Sequence, residues 1–204
     1  MTEPGLRERK KRRMYERVSE VAIGLFLEKG FDAVSVAEVA AAAEISKPTL
    51  FRYFPAKEDL VLYRIADHED EAARVVAGVA EPVAALREHF LRGLEVGDPV
   101  TGLSDHRQVL AFHRLLYGTP ALLARVYTYQ QRAEDALAEV LGGGVDGRVA
   151  AAQIVAVQRV LAMENWRRVA GGEGVADVRE DAVAAAERAF GALERAFPGL
   201  RLGK

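Results

Sequence analysis

Apolar residues recur at spacings of three and four through almost every segment of this chain, and that period constrains its fold more than any other feature. The clearest example is the segment 7–29, whose apolar face carries Met14, Val18, Val21, Ala22, Leu25 and Phe26. Such spacing indicates an amphipathic α-helix, whereas a strand alternates its apolar residues with a period of two. No segment shows a clean period of two, so we predict an all-α fold.

Short stretches rich in glycine and proline mark the turns between these segments. Gly30 ends the first predicted helix, and GDPVTG, GTP, GGG and GGEG separate the later ones. Ser35, with Glu38 three residues later, has the form of a capping box, which predicts a second helix from residue 36. The pattern predicts about nine helices, near 7–29, 36–43, 47–53, 57–79, 82–95, 104–117, 120–141, 147–170 and 175–197.

Composition excludes several classes of protein. Without cysteine, the chain has no disulfide, no thiolate metal site and no thiol sensor. No stretch approaches the roughly 20 consecutive apolar residues that span a bilayer, and no apolar run follows the basic N-terminal residues as it would in a signal peptide. We therefore expect a cytoplasmic protein that makes no membrane contact and needs no cofactor.

The predicted third helix is very short and combines cations with aromatic side chains. With the second helix and the tight turn between them, it has the outline of a helix-turn-helix, whose later helix lies in the DNA major groove. The side chains suited to phosphates or base edges are Lys47, Thr49, Arg52 and Tyr53. Leu50 and Phe54 are expected to anchor the same helix to its own core. Phe51 suits either packing or contact with a thymine methyl, and both roles stay open.

This part of the chain is similar to the TetR family of transcriptional regulators. The matching positions are an apolar first helix ending in GF at 30–31 and the stretch SVAEVAAAAEISKPTLFRYFPAKEDLV at 35–61, within a region of resemblance at about 10–62. The resemblance implies three N-terminal helices that bind DNA, a fourth that links, and a remainder that binds an effector and forms a dimer. We accordingly predict a DNA-binding domain at 1–60 and an effector-binding and dimerisation domain at 61–204.

The resemblance also implies which residues contact DNA. Ser35 falls at a phosphate contact that begins the second helix, and Lys57 falls at one that begins the fourth. The positions of the recognition helix are occupied by Lys47, Pro48, Thr49, Phe51, Arg52 and Tyr53. The family commonly has Gly at the position of Pro48 and Tyr at that of Phe51. This chain therefore lacks a backbone donor and a hydroxyl group at those two places.

The densest run of one charge lies at the N-terminus and consists of Arg7, Arg9, Lys10, Lys11, Arg12 and Arg13. One interpretation is a solvated tail. Members of the family, however, often carry a flexible arm near the phosphates at this place. We therefore predict that Arg12 and Arg13 neutralise phosphates, which would give affinity that is independent of base sequence and strongly dependent on salt.

The predicted effector half has no recognisable motif. The candidate lining residues are aromatic or hydrogen-bonding side chains on apolar helices: Phe90, Phe112, His113, Tyr117, Tyr127 and Trp166. A cavity lined in this way is mostly apolar, with a few polar groups that orient the ligand. Because this half has no cationic cluster, we expect a small apolar or weakly polar effector. Ordinary core packing is the alternative for each of these residues.

The last two predicted helices favour a homodimer. The segment 147–170 is apolar round most of its circumference, and such a helix must be buried on several sides. The segment 175–197 carries a stripe of small and apolar residues, Ala182, Ala186, Ala189, Leu193 and Phe197. We predict a subunit interface on these two helices, and an ordinary intramolecular core is the alternative.

Other functional classes find little support in the sequence. An enzyme is disfavoured because the chain has no GxSxG, no P-loop and no GxGxxG after a strand. No metal site is predicted, because His106 and His113 would lie about 10 Å apart along one helix. A DNA-packaging protein would not need the large apolar half. We predict a repressor that a small molecule releases from a palindromic operator in double-stranded DNA, and a ligand-independent regulator or an activator stays open.

Overall fold

Ten α-helices and one short 3-10 helix form the described part of this computed structural model, which covers residues 6–66, 68–198 and 200. No strand occurs within those residues, which confirms the predicted all-α fold. The helices are α1 (Leu6–Lys29), α2 (Val36–Ala42), α3 (Lys47–Tyr53), α4 (Asp59–Ala66), α5 (Glu71–Val76), α6 (Pro82–Val96), α7 (Arg107–Gly118), α8 (Pro120–Val140), α9 (Gly144–Ala170) and α10 (Val175–Ala196), with the 3-10 helix at Pro99–Thr101. No helix of the described residues is long and apolar enough to cross a membrane.

The single helix predicted at 57–79 is wrong, because the structure has two helices there, α4 and α5. Asp and His are weak helix formers, and a short polar side chain such as Asp competes with the helix for backbone hydrogen bonds. Among the described residues the interruption covers 68–70, where the sequence reads HED. At its end the Glu71 N–H donates to the His68 carbonyl at 3.3 Å, which makes a turn. Because the apolar period continues across this turn, periodicity alone did not reveal it.

The chain divides into two compact units. The first is Met1–Asp67 with Ala111–Tyr127, and the second is His68–Leu110 with Thr128–Lys204. Two of the boundaries therefore fall inside helices, since α7 and α8 each contribute residues to both units. The predicted assignment of DNA binding to 1–60 and of effector binding and dimerisation to 61–204 stays a prediction.

The core of the first unit is formed by apolar side chains of α1, α3 and α4. Leu50 and Phe54 are 1 % and 2 % exposed, which confirms that they anchor α3. Around them, Val18, Ala22, Phe26, Leu60, Val61 and Leu62 are buried as well. One buried polar group ties two of these helices together, because the Ser19 hydroxyl donates to the Leu60 carbonyl at 2.7 Å. This core fixes α1, α3 and α4 relative to one another.

The core of the second unit is built around α6, α9 and α10, with the rings of Phe90 and Phe190 5.9 Å apart. The 3-10 helix is held closely against α9. Gly102 follows it with φ +75°, and a Cβ there would lie 1.9 Å from the Ala162 carbonyl oxygen. The buried Asn165 amide donates to the Thr101 carbonyl at 2.9 Å. Only glycine fits this approach, which fixes the segment after α6.

Candidate DNA-binding surface

The start of α2 is capped as the sequence predicts. The Ser35 side chain accepts a hydrogen bond from the Glu38 N–H at 3.1 Å, so it satisfies one of the free donors at the helix N-terminus. The Glu38 carboxylate bonds Lys29, and this bond, together with a hydrogen bond to the Ser35 backbone, lowers the pKa of Glu38. Ser35 is exposed to solvent, as the predicted phosphate contact requires.

The turn between α2 and α3 contains a strained residue. Glu44 has φ +56° and is the one non-glycine residue with a positive φ in the described part of the chain. Its N–H donates to the Ala41 carbonyl at 3.1 Å, and the Ile45 N–H donates to the Ala40 carbonyl at 3.0 Å. This left-handed residue ends α2 and turns the chain into α3, as glycine commonly does at a helix C-terminus.

A serine that the sequence analysis overlooked caps α3. Ser46 accepts a hydrogen bond from the Thr49 N–H at 3.2 Å, and the hydroxyl groups of the two residues are 2.8 Å apart. The signal in the sequence was a serine directly before Lys47 and Pro48, because proline is favoured in the first turn of a helix. The contact with Ser46 fixes the direction of the Thr49 hydroxyl, which is a predicted DNA contact.

The predicted recognition residues of α3 lie mostly on its outer side. Leu50 is the only fully buried residue of this helix. The exposed residues are Lys47, Pro48, Phe51 and Arg52, and Thr49 and Tyr53 are half-buried. The Phe51 side chain is 42 % exposed, with the Lys47 amine 5.9 Å from its ring centre. The structure therefore brings cations and one large apolar ring together on a single exposed face.

Tyr53 belongs to an aromatic cluster that joins three helices. Its ring lies edge-on to Tyr15 of α1, with 5.0 Å between the ring centres. Tyr15 also contacts Phe54 at 5.1 Å and stacks on Tyr63 of α4 at 5.2 Å. The Arg52 guanidinium lies 5.5 Å from the Tyr53 ring centre. Sequence reasoning missed Tyr15, because no local pattern shows that three distant aromatic residues converge on it.

The Lys57 amine has partners within its own unit. Lys57 lies just before α4, and its amine donates to the Phe31 carbonyl. The amine also sits 4.3 Å from the ring centre of Phe31 and 5.5 Å from that of Phe26, at distances typical of cation–π contacts. A phosphate contact by Lys57 stays a prediction, and the ammonium keeps two further N–H donors besides the one that bonds the Phe31 carbonyl.

The N-terminal cations lie on the first turns of α1. Arg9, Lys10, Lys11, Arg12 and Arg13 are all exposed, and Arg12 pairs with Glu16 at 3.3 Å one turn further on. The side chain of Arg7 and the whole of residues 1–5 lie outside the described residues. The described cations are therefore carried by a helix rather than by a flexible arm.

The six predicted effector residues fall in both units. In the first unit Phe112, His113 and Tyr117 form a row on α7, with neighbouring ring centres 6.1 and 5.9 Å apart. Burial lowers the pKa of His113, so the ring is neutral at pH 7. Tyr127, on α8, is 56 % exposed. In the second unit Trp166 is half-buried, and Phe90 packs in the core against Phe190.

A depression of about 300 Å³ lies between α9 and α10, and none of the six predicted effector residues lines it. Its walls include Val160, Leu161, Asn165, Arg168, Asp181 and Ala184. Arg168 bonds Glu173 and Asp181 at 2.7 and 2.8 Å and spans the turn between the two helices. The depression is thus mixed in character, with apolar walls beside a network of ion pairs.

The alanine stripe of α10 does not form a separate outer seam, which corrects the basis given for a subunit interface. Ala182, Ala186 and Leu193 are 3 %, 0 % and 4 % exposed and belong to the core of their own unit. They are covered because α10 packs against α6 and α9. Other apolar residues face outward instead, since Val160 is 55 % and Val183 is 37 % exposed. A homodimer through these two helices stays a prediction.

A cluster of two histidines and a carboxylate was also overlooked. The Glu71 carboxylate contacts His68 Nδ1 at 2.7 Å and His89 Nε2 at 3.2 Å. Both contacts lower the pKa of Glu71, that with His68 more strongly. The three-residue spacing of His68 and Glu71 was visible in the sequence, whereas the approach of α6 was not. No group of three or more His, Asp or Glu side chains is placed to hold a metal ion among the residues that the structure describes.

Three features together define a helix-turn-helix DNA-binding protein. They are a capped α2, a left-handed turn, and a short α3 whose outward face carries cations and one aromatic ring. Residues 19–63 match the family model described as bacterial regulatory proteins, tetR family. The HTH-type transcriptional regulator TcmR of Streptomyces glaucescens is 33 % identical over 177 residues, covering 81 % of this chain and 78 % of that one. This chain belongs to the TetR family of transcriptional regulators, which confirms the resemblance found in the sequence.

Solved structures share the fold over most of the chain. The SmeT–triclosan complex superposes with a TM-score of 0.58 at 15 % identity, covering 92 % of this chain and 94 % of that one. NalD of Pseudomonas aeruginosa, described as the secondary repressor of the MexAB-OprM multidrug efflux pump, gives 0.56 at 18 % identity and covers 88 % and 97 %. Regulators of this family bind DNA and small-molecule effectors and act as dimers.

Proposed function

We propose that this chain is a cytoplasmic homodimeric repressor. Two copies of α3 enter successive major grooves of a palindromic operator, and a small apolar or weakly polar molecule releases the protein from DNA. The observation that carries the proposal is the outward face of α3, where Lys47, Phe51 and Arg52 are exposed on a helix that buries only Leu50. An exposed aromatic ring beside two cations suits a partner that offers both phosphate oxygens and thymine methyl groups, and double-stranded DNA offers both.

The contacts on α3 divide into two kinds. Lys47 and Arg52 are exposed cations that suit phosphate oxygens or the acceptor atoms of guanine. The 42 % exposure of Phe51 favours contact with a thymine methyl over packing within the chain. Tyr53 is held edge-on by Tyr15, so its hydroxyl is oriented before DNA arrives. Ser35 at the start of α2 and Arg12 and Arg13 of α1 add phosphate contacts that carry no sequence information.

The row of aromatic side chains on α7 supports an effector site. Phe112, His113 and Tyr117 are half-buried, and burial keeps the His113 ring neutral. A neutral imidazole beside aromatic rings suits a ligand with an apolar body and one hydrogen-bonding group. Trp166 lies in the second unit, and its role in effector binding stays a separate prediction from the sequence. The packing of Phe90 and the exposure of Tyr127 argue against a lining role for those two. The SmeT structure, a complex with triclosan, supports a small-molecule effector by analogy.

The outer side of α9 and α10 supports the dimer. Val149, Val160 and Val183 expose 43 %, 55 % and 37 % of their surface, and the depression of about 300 Å³ opens between the two helices. In a two-fold dimer the same patch meets itself, so each exposed valine would be buried in both subunits. Dimerisation also sets the spacing of about 34–36 Å that two recognition helices need for successive major grooves. An effector that prefers another spacing would lower the affinity for DNA.

A ligand-independent regulator is the second candidate. One observation favours it, since Phe90 is packed in a core and none of the six predicted effector residues lines the depression between α9 and α10. Titration of hydrophobic compounds against the protein–operator complex separates the two candidates. Release from DNA together with a change in the fluorescence of Trp166, the single tryptophan, supports an effector site near α9.

Selection of genomic fragments bound by the protein tests the proposal as a whole. We expect enrichment of a palindromic site and an affinity for it that falls when Lys47 is replaced by Ala. The loss should be about 1–3 kcal/mol if Lys47 reads a base, and smaller with a reduced salt slope if it contacts phosphate. Arg92→Ala is the control, because Arg92 is an exposed cation that pairs with Glu88 on α6. An unchanged affinity for Lys47→Ala, or no enriched site, would contradict the assignment of α3.

A further inference from the structure

We propose that Arg125 of α8 is a positioning residue for DNA binding, which acts by holding the turn that follows the recognition helix. This inference rests on the proposed function, because it assigns Arg125 a role in the affinity of α3 for an operator. Arg125 belongs to the same compact unit as α1–α4, through the segment Ala111–Tyr127. It lies outside the region of family resemblance, and nothing in its local sequence marks it.

The contact is a charge-assisted pair with a defined geometry. Arg125 donates from Nε at 3.1 Å and from Nη2 at 2.9 Å to Oδ1 of Asp59, the first residue of α4. The other oxygen of the same carboxylate, Oδ2, accepts a hydrogen bond from the Ala56 N–H at 3.0 Å. Two donors on one oxygen and one on the other fix the carboxylate in a single orientation.

Ala56 lies in the connection between α3 and α4, so this arrangement bears on the recognition helix. The helix α3 ends at Phe54, which is its C-cap, and Pro55 and Ala56 begin the connection to α4. Asp59 therefore joins three parts of the first unit: the residues just after α3, the start of α4 and the early part of α8. Its side chain is 14 % exposed and that of Arg125 is 37 %, so water reaches the carboxylate poorly. The Arg125 guanidinium orients the Asp59 carboxylate, and the carboxylate accepts the hydrogen bond from Ala56 in the turn after α3.

A fixed turn favours specific binding more than non-specific binding. Base contacts require α3 to lie in one register and one orientation in the groove, whereas phosphate contacts tolerate several. If Arg125 is removed, the Asp59 carboxylate can rotate. The α3–α4 connection then gains conformational freedom, and operator binding must order it at a cost in free energy. Preorganisation of this kind raises affinity by reducing the ordering cost of binding. The guanidinium donates to Asp59 through Nε and Nη2, and a phosphate contact through Nη1 would lower the affinity for operator and random DNA alike when Arg125 is replaced.

The first test compares operator DNA with random duplex DNA. For Arg125→Gln we expect about a fivefold loss of operator affinity, unchanged affinity for random DNA and an unchanged salt slope. Asp59→Asn keeps an oxygen that can accept from Ala56 but loses the ion pair, so it should cause a similar loss. The double variant should lose no more than either single variant, because both substitutions break the same link. Arg125→Lys should recover part of the affinity.

Arg132→Gln is the matched control, because Arg132 is a second arginine of α8 that pairs with Glu69 at 3.6 Å. It should leave operator affinity unchanged. An equal loss of affinity for operator and random DNA in Arg125→Gln would overturn the proposal, since it would indicate a phosphate contact or general unfolding. Additive losses in the double variant would also overturn it.

Amide hydrogen exchange in the DNA-free protein separates this inference from the proposed function. Exchange at Ala56 should be several times faster in Arg125→Gln than in the wild type and unchanged in Arg132→Gln. Unchanged exchange at Ala56 would overturn the positioning role whatever the DNA results. If the wild type binds no operator, the proposed function fails and the role in DNA binding falls with it, while faster exchange would still show that Arg125 holds the turn.

Discussion

α3 and α10 both carry apolar side chains in a helix with many charges, but they use those side chains in opposite ways. α3 buries Leu50 and leaves Phe51 exposed beside two cations. α10 turns its small and apolar stripe inward, so that Ala186 and Phe190 are 0 % exposed. In α3 the exposed aromatic residue lies beside cations, where we propose that it contacts DNA. A stripe of alanines marks only a close approach of helices, whether within one chain or between two.

The largest expected effect comes from a charge placed in the alanine stripe. Ala186→Glu should lower the free energy of unfolding by about 3–5 kcal/mol or leave the protein insoluble, because it buries an unpaired carboxylate. Val183→Glu, three residues earlier on the outer side, should leave the unfolding transition nearly unchanged and shift the dimer towards monomers. Thermal unfolding and light scattering measure the two outcomes. A stable Ala186→Glu monomer would instead show that the stripe is an intersubunit seam.

Phe51 provides the corresponding test on α3. Phe51→Ala should leave the melting temperature unchanged and weaken operator binding by about 1 kcal/mol, which is the transfer free energy of roughly one methyl-sized apolar contact. Operator DNA with uracil in place of each thymine in turn should identify the partner base, because uracil lacks the C5 methyl. Loss of stability with no loss of affinity would place Phe51 among the packing residues and remove the contrast with α10.

Glu44→Gly should stabilise the protein by up to about 1 kcal/mol. A non-glycine residue in the left-handed region costs roughly 1–2 kcal/mol, and the greater entropy of glycine in the unfolded chain offsets part of the gain. Chemical denaturation measures the change, with Glu20→Gly at an exposed position in the interior of α1 as a control that should destabilise. A destabilised Glu44→Gly variant would mean that the carboxylate makes a contact that compensates for its backbone strain.

The smallest effect is a dependence of stability on pH. Because the pKa of His113 is lowered in the folded protein from its usual 6.5, the unfolded chain binds a proton more readily. The free energy of unfolding should therefore be constant above pH 6.5 and fall as the pH drops below it. Glu71, whose pKa is lowered from 4.5, contributes only at more acidic pH. His113→Gln should flatten the curve between pH 5 and 7, and an unchanged curve would exclude His113 as its source.

Local signals in the sequence predict the DNA-binding helices well. Ser35, Gly30, Pro48 and Pro55 set the ends of α1–α3, because caps and proline act within one turn of the residue that carries them. Contacts between distant segments could not be predicted in this way. Tyr15 meets Tyr53, and Arg125 meets Asp59, only after the chain has folded. The sequence likewise shows that an apolar stripe must be covered but not which helix covers it, and Ala182, Ala186 and Leu193 of the α10 stripe are covered within their own unit.

The basic first turns of α1 bear on how fast the protein finds DNA. The chain as a whole has a net charge of −2, so the molecule gains no general attraction to a polyanion. Arg9–Arg13 form a local positive end on a helix that continues to Lys29 and packs against α4. In the field of DNA this end should turn towards the phosphates during diffusional encounter, which raises the association rate at low salt. Because a helix carries these charges, a rotation that brought them to the DNA backbone would move α1 and the helices packed on it as well.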